Sequence, residues 1–362
     1  MNDKYLMDGH KLYWHLDRVK DWLDGKRIAP LHIDAGLSKG CNIKCHYCFG
    51  AMQGNDYKKG LSTYFPREPL LNYMRDAGKA GVRSISFIGE AEPTLNPNLY
   101  DAIVVGKKSG IDIALGTNGI LLDIGKDGEK AIEHLTWIRF NLSAASDEAY
   151  RKLHGSTEFS TVLDRIRFCV HHKTSKKLNL TIGLQMVLTP QDADQVLPLA
   201  KLGKELGVDY LVIKQCSDSQ DSTLGIYEKL GEYGKFSDIL KEAEALNDDQ
   251  YHVIAKWKKI TGQGKRDYDT CIGAPFVFYT SGDAKVFSCG MFFDKKWWGE
   301  YLIGDLTKQS FTEIINSDRY REVIEKVAKI DCHTFCYSGC RTDAVNSFAW
   351  KLKHPPQHVN FI

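Results

Sequence analysis

The strongest constraint on the fold is a regular alternation of two kinds of segment between residues 31 and 214. Segments rich in β-branched and apolar residues predict strands, and segments whose apolar residues recur at helical spacing predict helices. The predicted strands cover 31–35, 83–88, 111–115, 137–142, 178–188 and 209–214, and the predicted helices between them cover 69–77, 99–108, 148–153, 161–172 and 192–206. Six β/α units in series form a parallel sheet, either open and doubly wound or curved into an incomplete barrel. In both architectures, reactive groups gather at the carboxyl ends of the strands.

The regions that flank this segment lack its regular alternation of predicted strands and helices. The predictions for them are an N-terminal extension over 1–30 with an amphipathic helix at 12–23, a helical linker over 226–265, a hairpin of strands 277–280 and 284–288, a turn at 303–306, a helix at 310–328 and a tail over 346–362. The linker prediction rests on residues 227–260, which are charged and helix-prone and carry little strand signal.

Composition narrows the class of protein. The chain has 48 Lys and Arg against 46 Asp and Glu, a formal net charge of +2, so it lacks the basic excess typical of a nucleic-acid binder. No apolar run approaches the roughly 18 residues that span a bilayer, and the first residues lack the apolar core of a signal peptide. We therefore expect a cytoplasmic protein with no nucleic-acid partner and no membrane partner.

Eight of the ten cysteines fall into two groups, and in a reducing compartment such groups are more often metal sites than disulfides. The first group is Cys41, Cys45 and Cys48, a CxxxCxxC spacing in the loop after the first predicted strand. Three thiolates this close together can hold three irons of a [4Fe-4S] cube and leave the fourth iron without a protein ligand. A structural zinc site is the alternative, but it requires a fourth ligand, and His46 is the only nearby candidate.

With an aromatic residue, Tyr47, directly before its last cysteine, this motif resembles that of the radical SAM superfamily, and the resemblance covers most of residues 31–216. The resemblance implies a partial (β/α)6 TIM-like barrel with a core over 31–225. It also implies that the fourth iron binds S-adenosylmethionine and that an electron from the cluster cleaves the sulfonium. The resulting 5′-deoxyadenosyl radical then takes a hydrogen atom from the substrate. An electron donor such as flavodoxin or ferredoxin is expected as a partner.

Further motifs that resemble the family stand at the ends of the next predicted strands. Residues 89–93 resemble its GGEP motif, although Glu90 and Ala91 stand where two glycines are usual. The resemblance implies contacts with S-adenosylmethionine from Tyr47, Gly89, Glu92, Asn118, Ser143 and Gln185. Among these residues, Glu92 is expected to contact the amino group of S-adenosylmethionine. Taken singly, polar residues at strand ends are usually turn or loop caps, so the prediction depends on the motifs occurring together and in order.

The second cysteine group spans the predicted hairpin and the helix after it. Its members are Cys271, Cys289, Cys332, Cys336 and Cys340. Five thiols can fill the four positions of one cluster, but they cannot fill two clusters. The segment resembles SPASM domains and, more closely, the shorter twitch form, although Ala284 stands where glycine is typical. The resemblance implies one auxiliary [4Fe-4S] cluster in a hairpin-plus-helix domain over 266–345. Cys271 and Cys289 are its expected ligands, and two of the other three cysteines complete it. A zinc ribbon is the alternative.

At the end of the sixth predicted strand, Lys214 and Cys216 are candidate catalytic residues outside both cysteine groups. A thiol at this rim can return a hydrogen atom to a substrate radical, and Lys214 can act as a base or as an anion ligand. Cys169, within a predicted helix, is expected in the core.

These features predict an oxidoreductase or epimerase that acts on a small polar metabolite. The expected reaction is dehydrogenation or epimerisation at a hydroxyl-bearing carbon of a sugar, cyclitol or nucleotide sugar. The first alternative is a SPASM-type enzyme that modifies peptides. The second is a structural zinc-binding interaction protein whose cysteine groups carry no chemistry.

Overall fold

The structure is a computed structural model that describes residues 3–53 and 61–361 of the 362-residue chain. Its strands are β1 (His32–Ala35), β2 (Ser38–Lys39), β3 (Thr63–Tyr64), β4 (Ser84–Phe87), β5 (Asp112–Thr117), β6 (Leu135–Asn141), β7 (Thr181–Leu188), β8 (Tyr210–Gln215), β9 (His252–Ala255), β10 (Val277–Thr280), β11 (Lys285–Phe287) and β12 (Gly304–Asp305). Its α-helices are α1 (Leu16–Leu23), α2 (Arg67–Lys79), α3 (Leu99–Lys108), α4 (Lys126–Ile132), α5 (Asp147–His154), α6 (Phe159–Lys176), α7 (Val196–Leu206), α8 (Ser237–Glu244), α9 (Trp257–Gly262), α10 (Trp298–Tyr301), α11 (Phe311–Asn316), α12 (Asp318–Val327) and α13 (Asp343–Lys353). None of the helices that the structure describes is long and apolar enough to cross a bilayer.

Ten of the described strands form one sheet in the order β12-β11-β10-β1-β4-β5-β6-β7-β8-β9, and β2 pairs with β3 separately. The six strands β1, β4, β5, β6, β7 and β8 are parallel, which confirms the predicted series of β/α units. Two more parallel strands extend the sheet, because β10 pairs with β1 and β9 pairs with β8. The predicted hairpin is present as β10 and β11, and its first strand continues the central sheet.

Buried apolar residues cover one face of the sheet, which we call the outer face. Ile33 and Ile113 are examples, and both are fully buried at alternate positions of their strands. The crossover helices α3 and α7 both pack on this face, since Gly106 of α3 lies against Ile113 and Gly203 of α7 lies near Leu184. Helices on the same side of a parallel sheet are typical of a barrel, so the partial (β/α)6 barrel is confirmed over the doubly wound alternative.

The opposite face, which we call the inner face, is polar. Its polar residues on the parallel strands include Asp34, Ser86, Arg139, Gln185 and Lys214. The register brings them to one side, because Asp34 lies opposite Ser86, Gly116 opposite Arg139, and Val187 opposite Lys214. In a barrel this side faces the interior, and reacting groups gather where its strands end.

The N-terminal segment covers part of the inner face. Tyr5 and Met7 pack on a small apolar cluster formed by Tyr210, Val212 and Ile254, which is separate from the main core. The Tyr5 and Tyr210 ring centroids lie 5.4 Å apart. The amino-terminal parts of β8 and β9 are therefore closed off, whereas the lysine near the carboxyl end of β8 is partly exposed.

The structure differs from the sequence prediction in several elements. The segment predicted as a helical linker contains the strand β9, which is held by pairing with β8. The predicted helix at 310–328 is two helices, because Ser317 ends α11 and caps α12 by accepting a hydrogen bond from Tyr320 N at 3.1 Å. The turn expected at 303–306 contains the short strand β12. The helices α4 and α13 have no counterpart in the prediction.

Candidate active site

The first cysteine loop follows β1 and β2 and rests on the end of a helix. The backbone N–H groups of Lys44 and His46 donate to the carbonyl oxygens of His154 and Leu153, at 3.1 and 3.3 Å. These carbonyls lie in the last turn of α5, which ends at Gly155 in a left-handed conformation with φ of 62°. The end of α5 thus fixes the loop that carries the cysteines.

Cys41, Cys45 and Cys48 are each partly exposed, and their surroundings fit an iron–sulfur cube. Burial, Glu92 and the neighbouring Cys48 raise the pKa of Cys41 to about 12, and burial with the other two cysteines raises the pKa of Cys45 well above its ordinary value. Such thiols ionise at neutral pH only when a cation such as iron compensates the negative charge. No three His, Cys, Asp or Glu side chains in residues 3–53 and 61–361 converge on a single metal ion. A four-iron cube instead takes each thiolate on a separate iron, so the donor set fits that group.

A buried polar network joins this loop to the end of β6. Ser143 donates a hydrogen bond to Tyr47 OH at 2.8 Å and accepts one from Val187 N at 3.0 Å. The Ser143 N–H donates to His154 Nε2 at 3.1 Å, so a neutral His154 carries its proton on Nδ1, which lies 3.3 Å from Cys45 Sγ. Burial lowers the pKa of His154 to about 3, which keeps the ring neutral at pH 7. The network therefore directs an N–H donor at the Cys45 sulfur.

Glu92 lies among the strand ends and is almost fully buried. Its Oε1 accepts hydrogen bonds from Thr94 N, Thr94 Oγ1 and Thr117 Oγ1 at 3.1, 2.7 and 2.6 Å. Its Oε2 accepts one from Asn118 N at 2.8 Å, and Asn118 Nδ2 donates to Asn42 Oδ1 at 2.7 Å in the cysteine loop. Burial raises the pKa of Glu92, and these donors oppose the rise. The carboxylate therefore holds the end of β5 beside the first cysteine loop, and its contact with the methionine amino group stays a prediction.

Glu90, which stands where the GGEP motif has glycine, connects the core to the hairpin. Its side chain is buried, its Oε2 accepts a hydrogen bond from Gly282 N at 2.9 Å, and its Oε1 lies 3.2 Å from Lys39 Nζ. Gly282, in the turn between β10 and β11, lies so close to Ser38 that a Cβ would come within 2.2 Å of its backbone. Gly89, directly before Glu90, has a φ of 145°, which favours glycine. The departure from the motif thus has a structural role.

Gln185 lies within β7, and Lys214 and Cys216 lie at the end of β8. Gln185 Nε2 donates to Asn141 Oδ1 at 3.1 Å. Cys216 is buried, and its Sγ lies 3.8 Å from the carbonyl oxygen of Tyr47 in the first cysteine loop. Burial raises the pKa of Cys216 to about 12, so it is a thiol at neutral pH. Burial and nearby cations lower the pKa of Lys214 to about 7. The structure thus brings Cys216 next to Tyr47, two residues that the sequence separates widely.

The five cysteines of the second group lie near enough to act electrostatically on one another. Hydrogen bonds with Cys271 and Cys336 raise the pKa of Cys332. Burial and the nearby Cys340 raise the pKa of Cys289, and Cys271 and Cys336 also act on it. This arrangement fits one four-iron cluster with a thiol to spare. Which two of Cys332, Cys336 and Cys340 act as ligands stays open.

Arg341, directly after the last cysteine, ties the second group to β1. Its Nε donates to Asp34 Oδ2 at 3.1 Å, and His32 Nε2 lies 2.9 Å from Asp34 Oδ1. Although burial favours the neutral acid, Arg341 and His32 hold the pKa of Asp34 well below its usual range. Lys259 Nζ donates to the carbonyl oxygen of Cys340 at 2.7 Å. The second group is therefore anchored to the inner face of the sheet.

Sequence reasoning misses three of these side chains as site residues: His154, Glu90 and Asp34. For Asp34 a signal exists, because an acidic residue inside an apolar strand requires a partner. For Glu90 the signal is its departure from the motif. His154 is marked only by its place at a helix end before Gly155, and nothing there indicates contact with the cysteine loop.

Two family models match the sequence. The model described as the radical SAM superfamily matches residues 37–213, and the SPASM model, described as an iron-sulfur cluster-binding domain, matches residues 271–341. Together the matches cover more than half of the chain and contain both cysteine groups.

Curated proteins and solved structures also resemble the chain. It is 26% identical over 196 residues to a probable GTP 3′,8-cyclase of Saccharolobus islandicus (strain M.14.25 / Kamchatka #1), covering 54% of this chain and 57% of that protein. It is 22% identical over 356 residues to an AdoMet-dependent heme synthase of Methanosarcina barkeri, covering 91% of this chain and 96% of that protein. The crystal structure of Streptococcus suis SuiB bound to precursor peptide SuiA superposes with a TM-score of 0.64 at 13% identity, covering 89% of this chain and 73% of SuiB. The match to SuiB shows a shared fold, and the chain spans little more than half of the length of the cyclase.

Proposed function

Because the chain belongs to the radical SAM superfamily and carries a SPASM iron–sulfur domain, we propose that it removes a hydrogen atom from a substrate held at the inner face of its barrel. The radical SAM domain binds S-adenosylmethionine and a [4Fe-4S] cluster, and the SPASM domain binds auxiliary iron–sulfur. When bound, the cluster and S-adenosylmethionine supply the 5′-deoxyadenosyl radical that takes the hydrogen atom.

The observation that carries this proposal is the contact between the first cysteine loop and three strand ends. Asn118, after β5, donates to Asn42 at 2.7 Å, and Ser143, after β6, donates to Tyr47 at 2.8 Å. Cys216, after β8, lies with its Sγ 3.8 Å from Tyr47 O. In a barrel the carboxyl ends of the strands are where reacting groups meet, so the loop borders the reaction space.

The proposed roles follow from these positions. Cys41, Cys45 and Cys48 hold the catalytic cluster, and four of the five cysteines of the second group hold one auxiliary cluster. The residues proposed to position S-adenosylmethionine are Tyr47, Gly89, Glu92, Asn118, Ser143 and Gln185. Cys216 is proposed as a hydrogen-atom donor, which the protonated thiol beside Tyr47 supports. Lys214 is proposed as a base or an anion ligand, which its lowered pKa supports.

For the substrate, the comparisons favour the peptide alternative over the sugar or cyclitol that the sequence analysis puts first. SuiB, whose fold matches 89% of this chain, is bound to a precursor peptide. A free sugar or cyclitol has no comparable support. The zinc-binding alternative is set aside, because both family matches are to domains of iron–sulfur enzymes. We therefore propose that the hydrogen atom comes from a residue of a peptide.

A small anionic metabolite is the second candidate. The curated cyclase relative is named for GTP, a nucleoside triphosphate. The inner face of the present chain carries Arg139 and Lys214, cations that suit an anionic substrate. With this candidate the proposed removal of a hydrogen atom is the same, and only the class of substrate differs.

The first test is cleavage of S-adenosylmethionine by the anaerobically reconstituted and reduced protein. We expect wild-type protein to form 5′-deoxyadenosine and the Cys48→Ala variant to form none. Cys169→Ala is the matched control, because Cys169 is a fully buried core thiol on α6. Wild-type protein that is loaded with iron and still leaves S-adenosylmethionine intact would contradict the proposed reaction.

The second test separates the two substrate classes. The loaded protein is incubated either with a pool of peptides deuterated at Cα and Cβ or with ribose-deuterated nucleotides. Deuterium in 5′-deoxyadenosine reports the molecule that loses hydrogen. We expect transfer from the peptide pool, and transfer from the nucleotides alone would replace the peptide by the small metabolite.

A further inference from the structure

Two lysines stand side by side at the carboxyl end of the inner face. Ile213 of β8 pairs with Ala255, the last residue of β9, and Lys256 N donates to Ile213 O at 2.9 Å, so Lys214 and Lys256 directly follow the last paired residues of the two strands. The charge of Lys214 acts on Lys256, so the two ammonium groups lie near each other. Like charges in such positions destabilise a sheet unless something compensates them.

The surroundings of the two lysines add positive charge. Arg139, Lys259 and Arg341 act on Lys214, and Lys259 and Arg341 act on Lys256. Burial and these cations lower the pKa of Lys214 to about 7 and the pKa of Lys256 well below its ordinary value. Among residues 3–53 and 61–361, neither ammonium group has a hydrogen-bond or ion-pair partner. Within these residues, no side chain therefore forms a direct ion pair with either lysine.

Nearby acids do not supply the missing charge. Asp34 is already engaged, since it pairs with Arg341 at 3.1 Å. Asp8 acts on Lys256, but its Oδ2 accepts a hydrogen bond from the Lys258 backbone N–H at 2.9 Å. One partly engaged carboxylate beside several cations leaves this end of the inner face positive.

Arg139 also has an unsatisfied donor on the inner face. Its guanidinium lies 5.1 Å from the Trp137 ring centroid and hydrogen-bonds Tyr210, but its buried Nε has no hydrogen-bond partner in the part of the chain that the structure describes. A buried N–H without a partner is unusual, and a guanidinium stays charged at any physiological pH. Neutral lysines would leave the Arg139 Nε–H without a partner, whereas an oxyanion would accept a hydrogen bond from it.

The cations also stand beside the reaction space. Cys216 follows Lys214 by two residues, and its Sγ lies 3.8 Å from Tyr47 O in the first cysteine loop. Lys259 follows Lys256 by three residues, and its ammonium group donates to Cys340 O at 2.7 Å in the second group. A ligand at Lys214 and Lys256 would therefore lie between the two cysteine groups.

We propose that Lys214, Lys256 and Arg139 bind an oxyanion of the substrate, either a carboxylate or a phosphate group. The proposal rests on the proposed function, because it assigns these cations to the molecule that loses hydrogen. A carboxylate is the form that a peptide would present, from an acidic side chain or its C-terminus. A phosphate is the form that a nucleotide or phosphorylated metabolite would present.

The test measures anion binding to the reconstituted protein by isothermal titration calorimetry, with acetate and inorganic phosphate as probes. We expect wild-type protein to bind at least one probe and the Lys214→Gln/Lys256→Gln double variant to bind it about tenfold or more weakly, which corresponds to about 1.4 kcal/mol. The matched control is Lys20→Gln/Lys26→Gln, which removes the same net charge from two exposed lysines and should bind like wild type. If the double variant fails to fold, Lys256→Gln alone replaces it.

The outcomes distinguish a carboxylate from a phosphate ligand, and they distinguish failure of this inference from failure of the proposed function. Tighter acetate binding assigns a carboxylate group, and tighter phosphate binding assigns a phosphate group. The inference is overturned if wild-type protein binds neither probe, or if the double variant binds as well as the control. S-adenosylmethionine cleavage by the same wild-type preparation reports separately on the proposed function, so failed anion binding with intact cleavage overturns only this inference.

Discussion

The two cysteine groups of this protein are built on different plans. The first has three thiols within residues 41–48, on one loop, and all three are partly exposed. The second gathers five thiols from residues 271–340, and one of them, Cys332, is buried. Three thiolates cannot cover four irons, whereas five can. The difference in thiol number agrees with the proposal that the first group presents an iron to a cofactor and the second encloses its cluster.

The two groups also differ in what holds them in place. The first loop rests on α5 through backbone hydrogen bonds to Leu153 and His154. The second is held through side chains, such as Arg341 on Asp34 and Asn346, which donates to Cys271 Sγ at 3.6 Å. The first group is therefore anchored through the backbone of its loop, and the second is anchored through side-chain hydrogen bonds.

The largest expected effect comes from removing thiols from one group at a time. Cys45→Ser should lower the iron content from roughly eight to roughly four per chain and abolish S-adenosylmethionine cleavage, because the catalytic cluster loses a ligand. Cys271→Ser/Cys289→Ser should also retain roughly four irons, yet it should still cleave S-adenosylmethionine after reduction. Iron analysis and chromatography of 5′-deoxyadenosine measure both quantities.

Cys169→Ser controls for the loss of a thiol outside both groups and should keep full iron. The claim that only the first group is needed for cleavage is contradicted if the Cys271→Ser/Cys289→Ser variant is folded, retains the first cluster and yet cannot cleave S-adenosylmethionine. It is also contradicted if Cys45→Ser retains cleavage.

A smaller effect is expected at Glu90, which joins the two regions. Glu90→Ala removes a buried carboxylate from Lys39 and Gly282 and leaves Lys39 with Asp283 at 3.5 Å. Breaking a buried pair in this way costs about 3 kcal/mol, so thermal unfolding of the holoenzyme should occur at a clearly lower temperature. Glu68→Ala is the matched control, because that exposed carboxylate pairs with the exposed Arg67 and should change little. Equal unfolding temperatures for the two variants would show that Glu90 does not join the regions.

Much of the fold is predictable because its signals are local. Six strands, the crossover helices and the hairpin of β10 and β11 follow from periodicity within short windows of sequence. The strand β9 is missed because its four residues lie in a charged, helix-prone stretch and become a strand by pairing with β8. The break at Ser317 is missed because the apolar pattern continues across it, while the capping hydrogen bond ends one helix and starts another.

The site divides in the same way. Cysteine spacing locates the first group, because it is a local pattern, and that each group holds a cluster stays a prediction. The contact of His154 with Cys45 and the proximity of Lys256 to Lys214 cannot be predicted, because each joins segments that are distant in sequence. The contacts of Tyr47, Ser143 and Cys216 appear only once the strand ends meet.

The smallest expected effect tests whether the space between the two groups is kept charged at a cost in stability. Lys214→Met should stabilise the folded protein by about 1 kcal/mol near neutral pH, since it removes a cation beside Lys256 and Arg139. The unfolded chain keeps its Lys214 proton up to the ordinary pKa of 10.5, whereas the folded chain releases it at about 7. Between these values the unfolded state binds more protons, so wild-type stability rises with pH and the advantage of the variant shrinks. Thermal unfolding at about pH 6.5 and about pH 9.5 measures this, with the exposed Lys20→Met as a control that should show no such trend. A variant no more stable than wild type near pH 6.5 would mean that burying Lys214 beside the other cations costs the folded protein no stability.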